Sequence, residues 1–586
     1  MSTTPNGRHC ERKLSSLLLP ALLPAAVCLA LYLPSLGHPF QWDDRELLER
    51  SASFANPSRL SEALTGHYLS LAENRPIDTP YYRPLSQLVL MLERMLFGPE
   101  PIGFRAVHSG LHLLCSLLLL AGIAALLSSD DEPNVRWRAA LGAALFAALP
   151  YAADSVLLLT DLGDLLALAF SLASLVAFTR FCNRGGIAAA LGIAVASLAA
   201  VSSKETALLL PLLLAAFHLL LRKRTSRRRA WIGIGISLLA TGVYLAARFA
   251  VLESNGSGLD PARALALLPV HLLEALRWAI APHPLALVEP VQAEIGEIRW
   301  WIGSLLLAAL IGAAWVLRKR EPAVAFGLVA WLLTVAPALA VMEKTGSLSP
   351  RYLYVPGAAL VLTLAAATAR FRKVGIAALA GLVIAAGLLS AIRISAWSDP
   401  ISLWSLETER HPEPAANRIH LGNALDDEGR PEEALEQMIA AVRLAKRGAK
   451  AETLALAHEN LARLLARSPR RTDAALDQYR AAAEAFPGRP GPWLGAGKIH
   501  ARDGAWRRAR DSFAKAVELA PRHLESALLY AGALAATGDI EGALENLDRA
   551  RALAAGSPAR LAEVRAKRAA VLDLAARDGG NSGPAE

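Results

Sequence analysis

Two adjacent carboxylates, Asp43 and Asp44, follow the first apolar run in Phe40-Gln41-Trp42-Asp43-Asp44. A carboxylate at a membrane edge can act as a general base, and a pair can bind Mg or Mn. The same pair before Arg45-Glu46-Leu47-Leu48 also suits the start of a helix. Arg83, in Tyr81-Tyr82-Arg83-Pro84-Leu85, precedes an amphipathic pattern of Leu85, Leu88, Val89, Leu92 and Leu96. Such a helix lies flat on a bilayer, where a guanidinium meets a lipid phosphate bidentately or acts as an interfacial anchor. Asp154 and Asp164 flank Asp161, and Asp154 stands in an otherwise apolar run. Acids in such runs are costly and mark functional positions, although these three also suit helix ends. Lys204-Glu205 and Arg351-Tyr352-Leu353-Tyr354 sit at the ends of apolar runs, where cations hold phosphate or snorkel to the interface.

These residues need a membrane framework to position them. The chain has 586 residues, 54% apolar and only 19% charged, where soluble proteins carry about 25% charged residues. That excludes a disordered chain and argues against an ordinary soluble enzyme. Runs long enough to cross a bilayer fall at about 14–34, 104–127, 139–158, 163–180, 186–202, 206–221, 231–252, 301–317, 322–342, 351–369 and 374–394. Residues 263–287 carry His271, Glu274, Arg277, His283 and prolines, and read as interfacial or re-entrant. With about eleven spans and a cytoplasmic N-terminus, the basic clusters at Arg8–Lys13, Arg136/Arg138, Arg180/Arg184, Arg222–Arg229, Arg318–Arg320 and Arg370–Lys373 all fall inside. The first run is expected to stay as an anchor rather than be cleaved. Residues 35–103, about 253–300, and everything after 395 then lie outside, facing membrane lipids or the external compartment.

After Trp397 the apolar runs stop, and a period of 34 residues begins. Ala475, Ala509 and Ala543 are in phase, as are Tyr479, Phe513 and Leu547, and Pro487 and Pro521. This is the tetratricopeptide pattern, with one copy running through Trp493, Gly497, Ala509, Phe513, Ala516 and Pro521. About four stacked helix pairs would share a core and present a groove to a protein partner, or act as a spacer. The expected fold is all-α: a polytopic membrane bundle followed by a soluble solenoid. The expected divisions are a cytoplasmic N-terminus 1–13, a membrane domain 14–395 with outer loop 35–103, a linker 396–414, repeats 415–575 and a disordered tail 576–586.

Phe40–Asp44, Tyr82-Arg83-Pro84-Leu85, Ser202-Ser203-Lys204-Glu205, Arg351-Tyr352-Leu353-Tyr354-Val355-Pro356, and Trp397 with Trp404 ahead of the repeats together resemble the transmembrane and tetratricopeptide-repeat O-mannosyltransferases. That family belongs to the GT-C superfamily of glycosyltransferases. The resemblance implies a donor sugar on polyprenyl phosphate and an acceptor hydroxyl on protein Ser/Thr or an envelope glycan. It also implies inversion at the sugar, with Asp43 or Asp44 as the base and Asp43 favoured. The substrate-binding residues it implies are Tyr82, Arg83, Asp154, Lys204, Glu205, Arg351 and Tyr354, with the cations stabilising the leaving phosphate. Two places depart from the family: Leu149-Pro150 stands where His-Pro is usual, and Leu162 where an Arg is often found. The composition suggests a bacterial inner membrane, with the repeats in the periplasm.

The alternatives are a lipid-linked glycan ligase or polymerase, using His271, Arg277 and His283, and a membrane-anchored repeat scaffold for envelope assembly. A transporter fits less well, because the polar residues gather at one face. No P-loop, dinucleotide fingerprint, CxxC or HExxH appears, and Cys10, Cys28, Cys115 and Cys182 are too scattered for a disulfide framework or zinc site. A nucleic-acid partner is not expected.

Overall fold

The computed structural model describes residues 17–45, 48, 52–71, 81–127, 134–221, 225–252, 260–282, 285–291, 294–345, 347–554 and 558–580. The chain divides into two compact units: 1–49, 60–69 and 79–399, and 50–59, 70–78 and 400–586. The expected outer loop 35–103 is therefore shared, since 50–59 and 70–78 group with the second unit.

The first unit is built of helices, and each of the eleven apolar runs lies on one or more of them. By length and composition, seven helices among the described residues can cross a membrane, or eight if a bent pair forms one span. That is fewer than the eleven spans expected from apolar run length, for two physical reasons. Ile187–Ser203 and the stretch Glu205–Leu221 fall short of a full crossing. Asn134–Ala147 and Pro150–Leu157 meet at a 57° bend, where Pro150 interrupts the backbone ladder. Pro350–Ala396, 47 helical residues, would rise about 70 Å against the roughly 30 Å hydrocarbon core, and it holds the two expected runs 351–369 and 374–394. It breaks at Arg372, whose φ of +44° ends one helix before the next runs Arg372–Ala396.

Pro261–Ile280 is helical with Pro269 inside it, and is not among the membrane-crossing helices. The only strand pairing among the described residues is an antiparallel ladder, Glu289–Pro290 on Ser347–Leu348. Pro84–Phe97 buries Ser86, Gln87 and Glu93 against the unit and exposes Leu92 and Leu96. Leu90 and Met91 are buried beside them, so the inward face carries polar and apolar residues alike.

The second unit begins earlier than expected. Residues 396–414 are not a bare linker, because Pro400–Arg410 is a helix that buries Leu403 and Trp404, with Trp404 stacked on His420 at 4.1 Å. Four helix pairs follow: Ala415–Asp427 with Pro431–Ala445, Ala451–Leu465 with Thr472–Ala485, Pro490–Arg502 with Trp506–Leu519, and Leu524–Ala536 with Ile540–Leu553. The last helix, Pro558–Gly580, runs past the expected boundary at 576; the rest of the tail lies outside the described residues. The in-phase Ala475, Ala509 and Ala543 are fully buried, and Tyr479, Phe513 and Leu547 pack beside them.

A Cβ on Gly497 would stand 2.5 Å from the Phe513 ring. The helices can therefore approach only because that position is bare. Gly497→Ala is expected to lower repeat-unit stability by about 1–3 kcal/mol through overpacking. The check is calorimetry of the full-length protein, with the first unit's transition unchanged.

Candidate functional site

An open pocket of about 210 Å³ in the first unit is lined by Asp43, Tyr68, Tyr81, Arg83, Asp161, Lys204, Glu205, Thr206, Pro337, Arg351 and Tyr352, among others. Five of the nine expected site residues are thus brought together: Asp43, Arg83, Lys204, Glu205 and Arg351.

Local chain geometry explains the convergence. Arg105 ties down the segment after the first span, donating from Nε to His38 O (2.8 Å), from Nη2 to Pro39 O (2.6 Å) and from Nη1 to Leu157 O (3.1 Å). Tyr68 N–H donates to Tyr81 O at 2.7 Å, which holds these two residues together. Tyr68 OH donates to Thr160 O at 2.6 Å. Gly163 lets Leu162–Arg184 approach the Ser203–Lys204 turn, since a Cβ there would meet Ser203 O at 2.8 Å.

The charges are arranged in pairs. Arg83 Nε donates to Glu205 Oε2 at 2.8 Å, and its guanidinium lies 4.6 Å from the Tyr81 ring centre and 5.1 Å from that of Tyr68. Lys204 Nζ bonds Asp164 and lies 3.6 Å from Asp161 Oδ1. Burial works against the ammonium charge, but Asp164 and Asp161 outweigh it and hold the Lys204 pKa above its usual value. Arg351 Nε lies 3.0 Å from Asp161 Oδ2, and its guanidinium packs 5.0 Å from the Trp42 ring centre. Arg351 Nη1 is buried and donates no hydrogen bond among the described residues. A guanidinium with a spare buried donor can take an oxyanion without losing its carboxylate partner.

The two adjacent acids separate sharply. Asp43 is half-buried and lines the pocket. Asp44 is fully buried and accepts backbone N–H bonds from Leu159 and Thr160, both at 2.8 Å. The expectation that Asp44 is a catalytic acid is corrected accordingly: its carboxylate is spent on holding the 159–160 turn. The pair therefore does not present two carboxylates to one Mg or Mn ion, and no cluster of three or more metal-ligating side chains occurs among the described residues.

Three other expected positions point elsewhere. Asp154 Oδ1 and Oδ2 accept from Arg393 Nε (2.8 Å) and Nη2 (3.1 Å), and Oδ1 also accepts from Trp397 Nε1 at 3.0 Å. The partner of Asp154 is therefore a buried arginine rather than a substrate. Tyr82 OH donates to Leu64 O at 2.9 Å, and its ring stacks on Tyr244. Tyr354 starts a helix that turns it inward, its OH 2.9 Å from His112 Nδ1. Of the ligase-type residues, Arg277 pairs with Glu274 and Glu289, and His271 is buried. His283 lies outside the described residues.

The sequence reading passed over Asp161, Tyr81, Tyr352 and Trp42 as site residues. Asp161 carried one usable sign, its place on the turn between two apolar runs. Tyr352 is next to Arg351, Tyr81 lies two residues before Arg83, and Trp42 is next to Asp43.

A second, narrow apolar cleft of about 80 Å³ adjoins the pocket. Leu168, Leu172, Leu210, Leu213, Phe326, Leu333 and Leu362 line it, and Thr206 lines both cavities.

Burial raises the Asp44 pKa to about 6, against the opposing pull of the Leu159 and Thr160 amides, Arg105 and His108. An acid whose folded pKa exceeds its unfolded value costs stability above the folded pKa, and that cost disappears as pH falls to the unfolded value. The folded state is expected to gain up to about 3 kcal/mol from this group between pH 7 and pH 4. Melting at pH 7.5 and 5.0 tests this, since Asp44→Asn should lack that part of the gain.

No protein-family model matches the chain, and no curated protein matches it. Among solved structures it is similar to MamA, at 17% identity over 29% of this chain and 90% of that one, with a TM-score of 0.23. It is also similar to YrrB, a TPR protein with an unusual peptide-binding site, at 19% identity over 32% of this chain and 89% of that one, TM-score 0.23. Yeast Tom70 is matched at 13% identity over 80% of this chain and 97% of that one, TM-score 0.24. The repeats themselves are identified here by their period and helix pairing.

Proposed function

We propose that the chain is a membrane glycosyltransferase of GT-C type, moving a sugar from a polyprenyl-phosphate donor to an acceptor hydroxyl with inversion. The observation that carries this reading is the meeting of one half-buried acid, Asp43, with Arg83, Lys204 and Arg351 in one pocket that opens beside an apolar cleft. The donor phosphate would take the spare donor of Arg351, and its hydrocarbon chain would run past Thr206 into the cleft.

In this mechanism the acceptor oxygen bonds to the sugar's anomeric carbon as the bond from that carbon to the phosphate oxygen breaks. The electron pair leaves with the lipid phosphate, where the cations stabilise the growing charge. The hydroxyl proton passes to the Asp43 carboxylate. Asp161 and Glu205 neutralise the cations before the donor arrives, which avoids an unpaired buried charge in the empty pocket.

The acceptor side has a place in the repeat unit. A groove lined by Tyr479, Arg480, Trp493, His500 and Arg508 is open there, and it suits an extended protein segment. This groove also favours a second reading, a membrane-anchored repeat scaffold that performs no chemistry.

The test supplies membranes containing the protein with labelled polyprenyl-phosphate hexoses and counts label in lipid and protein fractions. Transfer above control membranes supports the transferase, and the labelled fraction gives the acceptor class. No transfer from any hexose donor overturns it in favour of the scaffold.

A further inference from the structure

We infer that Gln41, Trp397 and Arg393 are positioning residues that hold Asp43 in the pocket through a hydrogen-bonded clamp on both sides of Trp42. The inference rests on the reading of Asp43 as the working acid.

One side of the clamp starts at Gln41, whose Nε2 donates to the backbone oxygen of Trp397 at 2.6 Å. The Trp397 indole in turn donates to Asp154 Oδ1 at 3.0 Å, and Asp154 is held through both oxygens by Arg393. Every member is buried: Gln41 is 1%, Trp397 0%, Asp154 1% and Arg393 2% exposed. The other side is Asp44, gripped by the Leu159 and Thr160 amides. Residues 41 and 44 are thus anchored to different parts of the unit, and only Trp42 and Asp43 lie between them.

Trp42 carries the consequence. Its φ is +53°, a left-handed conformation that a bulky residue rarely adopts. Such strain persists only where the surroundings fix both flanks, and it gathers at working sites. The turn it produces sends the Asp44 carboxylate into the interior and leaves its neighbour Asp43 on the pocket wall. The Trp42 ring meanwhile packs against Arg351, the cation facing Asp43. The clamp therefore links the end of the helix Arg372–Ala396 to the orientation of the acid, a role that neither Arg393 nor Gln41 suggests by residue type.

The test uses the full-length protein in membranes and has an arm independent of activity. In a Cys10→Ser background, Asp43→Cys is labelled with a maleimide, and Gln41→Leu and Trp397→Phe are then added separately. Cys28, Cys115 and Cys182 are buried, and their continued protection shows that the bundle is intact. The expected result is labelling about tenfold faster with Gln41→Leu and a smaller acceleration with Trp397→Phe, as release of the strained turn frees residue 43. Rates within about twofold of the Asp43→Cys parent overturn the clamp.

With Asp43 present, Gln41→Leu is expected to lower the transfer kcat by about 10²-fold while the donor KM stays within about threefold, the mark of a displaced acid in an intact binding site. Equal changes in both constants would assign Gln41 a general structural role instead and overturn the inference. Absence of transfer in the wild type would defeat the glycosyltransferase reading alone, because the labelling arm still decides the clamp.

Discussion

Asp43→Asn is expected to cut sugar transfer by about 10²–10⁴-fold, the range that a positioned general base contributes. The substitution keeps the shape of a half-buried side chain and removes its negative charge, which faces Arg351, together with its capacity to take a proton. Melting temperature should fall less than in Asp44→Ala, because Asp43 is only half-buried while Asp44 is fully buried. Asp44→Ala should behave in the opposite way. It leaves the Leu159 and Thr160 amides without their acceptor, at a cost of about 1–3 kcal/mol for each buried donor. Transfer normalised to folded protein, measured beside a thermal melt, separates the two. A larger loss of normalised transfer in the Asp44 variant would reverse the assignment of base and support.

Asp154→Ala carries the largest expected loss of stability. Both partners of the Asp154–Arg393 pair are 2% exposed by side chain, and removing one leaves an uncompensated buried guanidinium, at about 3–5 kcal/mol. The Trp397 indole N–H loses its acceptor in the same step. Replacing the pair together, as Asp154→Leu with Arg393→Met, should recover much of that loss, because packed apolar groups of similar volume replace buried ion pairs at little cost. Thermal unfolding of the solubilised protein measures both. Equal destabilisation by the single and double variants would show that Asp154 acts through something other than this pair.

The fold was largely legible because its two signals are physical and local. An apolar run reports burial or lipid contact, and each run proved helical. The 34-residue period predicted helix pairs that share small and aromatic residues, and Ala475, Ala509 and Ala543 are fully buried as that requires. The number of crossings was less legible, because run length does not show the 57° bend after Ala147 or how short Ile187–Ser203 and Glu205–Leu221 are.

The site was legible in part. Arg83, Lys204 and Arg351 were marked by cationic side chains at the ends of apolar runs, where charge demands a partner or a ligand. Their acids were harder to sort. Asp43 and Asp44 are neighbours of one type, and only the amides of a turn more than a hundred residues away distinguish them. Asp154 was conspicuous in its apolar run, but its partner Arg393 is 239 residues distant. Asp161, which touches both Lys204 and Arg351, looked like a mere turn residue. Tyr354 shares a motif with Arg351 and Tyr352, yet it faces His112 because a helix begins at that residue.

The central claim is that the pocket and its apolar neighbour together take a lipid phosphate, and photolabelling with a polyprenyl-phosphate analogue tests it most directly. The analogue should crosslink to peptides containing Thr206 and the helix Pro322–Thr345, which line both cavities. Arg351→Met should weaken that labelling by about 10–100-fold, the loss expected from a charge-assisted hydrogen bond. Labelling confined to other helices, or unchanged by Arg351→Met, would contradict the account.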